Sequence, residues 1–361
     1  MTTLSRRSFI RTAAAGGAAL SLPFAFSHNG IQEVKPGATR TKVSLATAND
    51  RADIAFRALQ PFSKEIKQAI GNKRVVLKPN NVLIYVPLAC THVETLEGIL
   101  EFLKSIGKHK NVIIAESSAS GSTLEGFDNY GYYNLVKKYP VKLVDLDDGG
   151  WDDMYVTDEK DFRPHIMRIS STITDPGSYI VSVGRMKTHT NVGATLSLKN
   201  LVVGAPIKDH GFTLYNEDKR FSANARESKP GTISYKRLIH GNGFHAVNYN
   251  LAWLAQKVHP DLAVIDGFVG MEGNGPTLGT PIEHKVCVVS QDWLAADRVG
   301  IELMGINFGN IGYLNHCAAM GLGNADLSSI DIVGESLKDH IKSYKLPDNF
   351  DRIISWMKPK A

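Results

Sequence analysis

The chain has 361 residues, 43% of them hydrophobic and 21% charged, with a formal net charge of +5. These values exclude wholesale disorder, collagen and coiled coil, and the length allows a sizeable core without disulfide help. Its three cysteines, Cys90, Cys287 and Cys317, form no CxxC, so neither an iron–sulfur motif nor a disulfide framework is visible.

The first element is a targeting segment. Arg6-Arg7-Ser8-Phe9-Ile10-Arg11 precedes an Ala- and Gly-rich apolar run from Thr12 to Phe26. A charged start before a short apolar stretch reads as an export signal, and paired arginines followed by Phe9 match the twin-arginine type. The run is shorter than the ~20 residues of a membrane span. Residues 1–27 are therefore read as a twin-arginine signal peptide. The twin-arginine export machinery is then a partner, and the periplasm or the extracellular space the destination. This segment holds three arginines and no carboxylate, so the mature chain carries only +2 of the formal charge. So small a charge, with no basic cluster interleaved with aromatics, argues against nucleic acid as a partner. No membrane span is expected in the mature protein.

Residues 28–41 read as a linker. An alternation of strands and helices follows over 42–345. Lys73–Leu77 is β-rich. Thr91–Ile106 is helical, with Leu96, Ile99, Leu100 and Leu103 on one face and Thr91 with Glu94 as a capping box. Asn111–Ala115 is a strand, Asn134–Tyr139 closes a helix and Val141–Leu146 is a third strand. Ser178–Gly184 is a buried strand. Residues 205–245 are polar, rich in Gly, Asn, Lys and His, and read as a functional loop or lid. Then come a helix at Ala246–Val258, strands at Leu262–Ile265 and Lys285–Val289, a helix at Trp293–Met304 and a strand at Ile330–Val333. The pattern predicts an α/β fold, a largely parallel sheet with helices on both faces. It allows lobes at 42–150 and 165–345, and leaves 346–361 as a C-terminal tail.

Polar residues follow the apolar strands. They are Lys78-Pro79-Asn80-Asn81, Glu116-Ser117-Ser118, Asp145 with Asp147, Arg185-Met186-Lys187-Thr188-His189-Thr190, and Asp266-Gly267 with Glu272-Gly273-Asn274-Gly275-Pro276 beyond. In open α/β sheets ligands bind at the carboxyl ends of strands, so these clusters are expected on one edge. Lysine attracts anions or forms covalent adducts, and histidine moves protons near neutral pH. Lys187, His189 and Lys199 are the candidate catalytic set. Lys78, Asn80, Asn81, Glu116, Ser117, Thr190, Asn200 and Asn274 are candidate substrate-binding residues. His210 and Glu272 are candidate metal ligands, although His210, His240 and His245 match no standard zinc spacing. No GxGxxG follows the first strand, and neither GxxxxGK[ST] nor GxSxG occurs.

Four segments occur in a telling order: Val76-Leu77-Lys78-Pro79-Asn80, Gly184–His189, Leu196-Ser197-Leu198-Lys199-Asn200, and Asp266-Gly267 followed by Met271–Pro276. In these the chain resembles domain-of-unknown-function family 362, from about Val43 to Glu335. The resemblance implies an α/β fold and no particular reaction. Some members carry ferredoxin-like cysteine clusters, which this chain lacks. A local resemblance to the nickel-pincer lactate racemase group rests on a histidine followed by a lysine ten positions on, here His189 and Lys199. It implies that His189 is an acid/base, that Lys199 holds the organic part of a metal-organic cofactor and that His210 ligates nickel. The expected function is an exported enzyme acting on a small anionic, carboxylate-bearing molecule through a Lys/His site. It would be an isomerase or oxidoreductase dependent on a metal or cofactor. A non-catalytic exported binding protein and a redox accessory protein are the alternatives.

Overall fold

A computed structural model describes residues 40–358; the signal peptide and nearly all of the linker lie outside them. The sheet follows from strands that are apolar on both faces. Val75 and Leu77 of β2 (Arg74–Lys78) pack into one core cluster while Val76 between them packs into the other. Val112 and Ile114 of β3 (Val112–Glu116) alternate in the same way with Ile113 and Ala115. Two-sided burial of this kind marks a central sheet covered by helices on each face.

The remaining strands are β1 (Thr41–Thr47), β4 (Val141–Asp145), β5 (Trp151–Thr157), β6 (Pro164–Ser170), β7 (Ser178–His189), β8 (Gly193–Thr195), β9 (Leu262–Asn274), β10 (Leu278–Ser290) and β11 (Ile330–Gly334). The main sheet has the order β11-β1-β10-β9-β7-β2-β3-β4, with β8 paired to β7. The run β9-β7-β2-β3-β4 is parallel throughout. β10 is antiparallel to both its neighbours, β9 and β1. The architecture is thus mixed α/β around a mostly parallel sheet. Strands from 42–150 and from 165–345 share this one sheet, and β5 and β6 form a separate antiparallel pair.

One face carries the helices Arg51–Leu59, Ser63–Ile70 and Val93–Ser105; the other carries Ser197–Gly204, Phe244–Ala255 and Trp293–Leu303. At Gly98 a Cβ would stand 2.2 Å from the Ala52 carbonyl oxygen, so the first and third of these helices cross at a distance only glycine permits. The expected Thr91–Glu94 capping box does not form. The helix begins at Val93, and His92 caps it, Nδ1 accepting from the Glu94 N–H at 3.3 Å. Thr91 is occupied otherwise: its hydroxyl donates to the Val183 carbonyl and accepts from the Asn80 N–H. All three cysteines are free and buried.

Candidate functional site

The site begins with an unusual strand. β7 runs on past its apolar half through Arg185, Lys187, Thr188 and His189, and all twelve of its residues are buried. Its last three residues pair with β8, Lys187 opposite Thr195. Its register against β9 shifts between Arg185 and Lys187. Lys187 and His189, two apart, then share a face by strand periodicity. Arg185 is diverted to the carbonyls of Cys90 and Val269.

Next in the chain, the helix Ser197–Gly204 places Lys199 and Asn200 in its first turn. No residue of this helix caps it. Asp297, fully buried on the helix Trp293–Leu303, does so from outside, accepting from the Ser197 and Leu198 N–H groups and the Ser197 hydroxyl. An acceptor at this point satisfies orphan N–H donors and suits the positive end of the helix. Burial raises the Asp297 carboxyl to about 7.

Beneath lies a closed polar network. The Lys78 ammonium, with no exposed surface, pairs with Glu116 and donates to the Pro79 carbonyl at 2.7 Å and to Asn200 Oδ1 at 3.1 Å. The Asn80 amide also donates to Asn200 Oδ1, and Lys187 Nζ donates to Asn80 Oδ1 at 2.5 Å and to the Ala89 carbonyl at 2.6 Å. Burial pulls Lys78 down and pushes Glu116 up; their mutual attraction opposes both shifts. Gly204 makes room for this pair: a Cβ there would meet the Lys78 ammonium at 2.1 Å.

Above the network is a cavity of about 870 Å³, with Lys187, His189, Lys199, Asn80, Asn81, Glu116, Ser117, Thr190, Asn200 and Asn274 in its wall. Lys199 Nζ lies 2.9 Å from His189 Nε2, and His189 Nδ1 accepts from the Asn191 N–H at 3.0 Å. Burial first, then Lys187, brings Lys199 down to about 7. Burial brings Lys187 to about 7 as well. Burial, then Lys199, His240 and Lys187, holds His189 well below the usual histidine range. The polar segment 205–245 supplies the opposite wall with Arg220, Lys236, Arg237 and His240. Burial takes Lys236 to about 7 and, with Lys199, His240 to about 4. This segment is tied down by Asp218, which accepts from the Ser120 hydroxyl, and by the buried Lys208–Asp147 pair. Three buried polar atoms of the wall, Asn81 Nδ2, Thr195 Oγ1 and Ser234 Oγ, have no hydrogen-bond partner among the described residues. Unpaired buried groups of this kind are costly and suit a bound polar molecule.

The structure therefore brings together all the candidate catalytic residues and all the candidate binding residues except Lys78, which lies beneath the wall and holds Glu116 and Asn200. Asp145 ends β4 and Asp147 follows in a short 3-10 turn, while Asp266, expected just after a strand, lies inside β9; none of the three lines the cavity. Asp147 binds Ser117 and Lys208, and Asp266 pairs with buried Arg51 and accepts from Thr95. Lys236 and Arg237 were not singled out by sequence as site residues, and His240 was weighed only beside His210 and His245 against zinc spacings. A short 3-10 helix at Tyr235–His240 carries them, within the loop whose length and polarity did mark it.

The candidate metal ligands fare differently. His210 is exposed and pairs with Asp148, while Glu272 accepts from the Lys345 N–H; neither lines the cavity. His245 contacts Glu159 and the Lys358 carbonyl. Among the described residues no group of three or more His, Cys, Asp or Glu side chains is arranged to hold a metal ion. The donor set implied for a nickel-organic group thus does not fit, because its ligand His210 does not line the cavity that holds Lys199.

Comparison with known proteins gives two findings. The family profile described as a domain of unknown function (DUF362) matches residues 75–302. A thylakoid-associated protein of Synechocystis is 24% identical over 236 residues, 65% of this chain and 64% of that relative. The matched part thus spans just under two thirds of the relative's length.

Proposed function

The chain belongs to the DUF362 family, and from that premise we propose that it is an exported enzyme binding a small carboxylate-bearing molecule and moving a proton next to its carbonyl. The observation that carries this reading is the contact between His189 and Lys199 on the wall of a cavity that also presents Lys187, Lys236, Arg220 and Arg237. Buried cations draw a carboxylate out of water, and arginine forks bind it in two places. A neutral imidazole in the same wall is a competent proton carrier. His240, also uncharged at neutral pH, is a second one.

Carboxylates that bear a carbonyl, such as pyruvate and 2-oxoglutarate, test the reading when incubated with the protein in deuterated water. Proton NMR is expected to show deuterium entering the carbon beside the carbonyl, and His189→Ala to slow that entry by about 10²-fold or more. Binding without exchange would make the protein a binding module; exchange unaffected by His189→Ala would remove His189 from the assignment.

Export is supported by the twin-arginine sequence at Arg6-Arg7. It is also supported by a relative named for association with a membrane system. No helix of the described residues is long and apolar enough to cross a membrane. Replacing Arg6 and Arg7 together by lysine is expected to leave the protein in the cytoplasm on cell fractionation. Unchanged export would refute this route.

A further inference from the structure

Three buried lysines face the cavity, and their partners differ. Lys187 donates to the carbonyl oxygens of Asn80 and Ala89, and Lys236 to those of Gly204 and Pro206. Four oxygen acceptors keep both in the role of donors. Among the described residues the one hydrogen-bond contact of the Lys199 amine is with a ring nitrogen, His189 Nε2. The other ring nitrogen fixes what that contact is. The direction of the Asn191 N–H is set by its backbone, and it points into His189 Nδ1, so Nδ1 is the acceptor. A neutral imidazole with Nδ1 accepting carries its hydrogen on Nε2. Nε2–H then donates, and Lys199 must accept with its nitrogen lone pair. An ammonium has no lone pair to offer, so this geometry requires Lys199 to be an uncharged amine.

The geometry points to a covalent activity: Lys199 adds to the carbonyl carbon of a 2-oxo acid and joins it as an imine. This rests on the reading of the cavity as a carboxylate site. On entry the carbonyl oxygen takes the Nε2–H of His189 as its donor and frees the lysine lone pair. That pair forms the C–N bond as the C=O π pair moves onto oxygen. The oxygen receives both amine protons, one of them relayed across His189 Nε2, and leaves as water, with C=N in place of C=O. No oxidant or reductant is consumed. Lys187 and Arg237 present cations for the carboxylate, and unpartnered Thr195 Oγ1 and Asn81 Nδ2 offer it further polar contacts. An uncharged lysine in a desolvated pocket is the form in which an amine acts as a nucleophile.

The test uses the wild-type protein with pyruvate or 2-oxoglutarate and sodium cyanoborohydride at neutral pH, read by intact mass and peptide mapping. Calorimetry with the same acids and with malonate, which has no ketone, reports binding alone. The expected result is one reduced adduct per chain, mapped to Lys199 and absent in Lys199→Arg. Saturable binding of the acids without trapping at Lys199, or trapping at Lys187, Lys236 or scattered surface lysines, overturns the imine and leaves the carboxylate site standing. Failure of all three acids to bind overturns the carboxylate site, and the imine with it. The mapping needs no variant, so misfolding of Lys199→Arg would not obscure the answer.

Discussion

At the scale of single residues, the site depends on charges that are costly to bury. Lys78 and Glu116 are both almost fully buried, so removing one partner leaves the other uncompensated. Such a loss costs about 3–5 kcal/mol, whereas replacing both by apolar residues of similar volume costs far less. Lys78→Met and Glu116→Leu are each expected to lower stability by that amount in urea unfolding, and the double variant to recover a large part of it. Additive losses would show that the two do not act as a pair. Residue types were legible from the sequence here: the lysines, asparagines and His189 stood out at strand ends. Their division of labour was not. Nothing in the spacing of Lys78, Lys187 and Lys199 says that the first would pair with Glu116, the second with an asparagine, and the third with an imidazole. Those partners are set by tertiary contacts, some of them across more than a hundred residues of chain, as between Lys187 and Asn80 and between Lys78 and Asn200.

At the scale of elements, the helix Ser197–Gly204 sets the position of Lys199, and Asp297 holds that helix from a neighbouring one. Asp297→Ala removes the acceptor of two backbone donors and one hydroxyl. It is expected to cost about 1–2 kcal/mol in urea unfolding, the upper end of the range for a lost cap. It is also expected to reduce deuterium exchange at the substrate while Lys199 and His189 stay in the chain. Full exchange in a destabilised variant would mean that the helix end need not be fixed. This tertiary cap was invisible in sequence, because Asp297 lies about a hundred residues from the turn it serves. β7 illustrates a related miss. Arg185, Lys187 and His189 read as the loop after a strand ending at Gly184, yet they continue it, buried because each polar group finds a partner within the fold. The helices Val93–Ser105, Phe244–Ala255 and Trp293–Leu303 and the strands β2, β3 and β4 were read within a few residues, since periodicity reports burial directly. The helices Arg51–Leu59, Ser63–Ile70 and Ser197–Gly204 were not read, and β9 runs nine residues past the expected Ile265. Among the described residues, β1, β8, β5 and β6 were missed; the alternating, half-exposed pattern of β5 and β6 carries little apolar signal.

At the scale of the whole molecule, the parallel half of the sheet delivers the ends of β2 and β3 and the long end of β7 to one edge, and the 205–245 segment closes over them. The antiparallel hairpin of β9 and β10 completes the rim through Asn274 to Leu278. The parallel half was legible in the alternation of strands and helices. The antiparallel half was not, because strand direction depends on pairing partners far apart in sequence. The resulting cavity concentrates cations in a protein whose predicted mature charge is close to neutral, so its ligand is read from the site and not from the composition.

The most direct test of the carboxylate site is the proton balance of malonate binding. Burial brings Lys187 and Lys199 from their ordinary 10.5 to about 7, so at pH 8 both amines are largely uncharged in the folded protein. An anion placed beside Lys187, the lysine that takes the carboxylate, favours its charged form and raises its value. Binding at pH 8 must then draw protons from solution, and at pH 6, where the amines are already charged, it should be tighter and draw few. Titration calorimetry in two buffers of different ionisation enthalpy measures that uptake. Saturable binding with net proton uptake at pH 8 that falls away at pH 6 is the predicted result. No binding at either pH, or binding that releases protons at pH 8, would contradict the account.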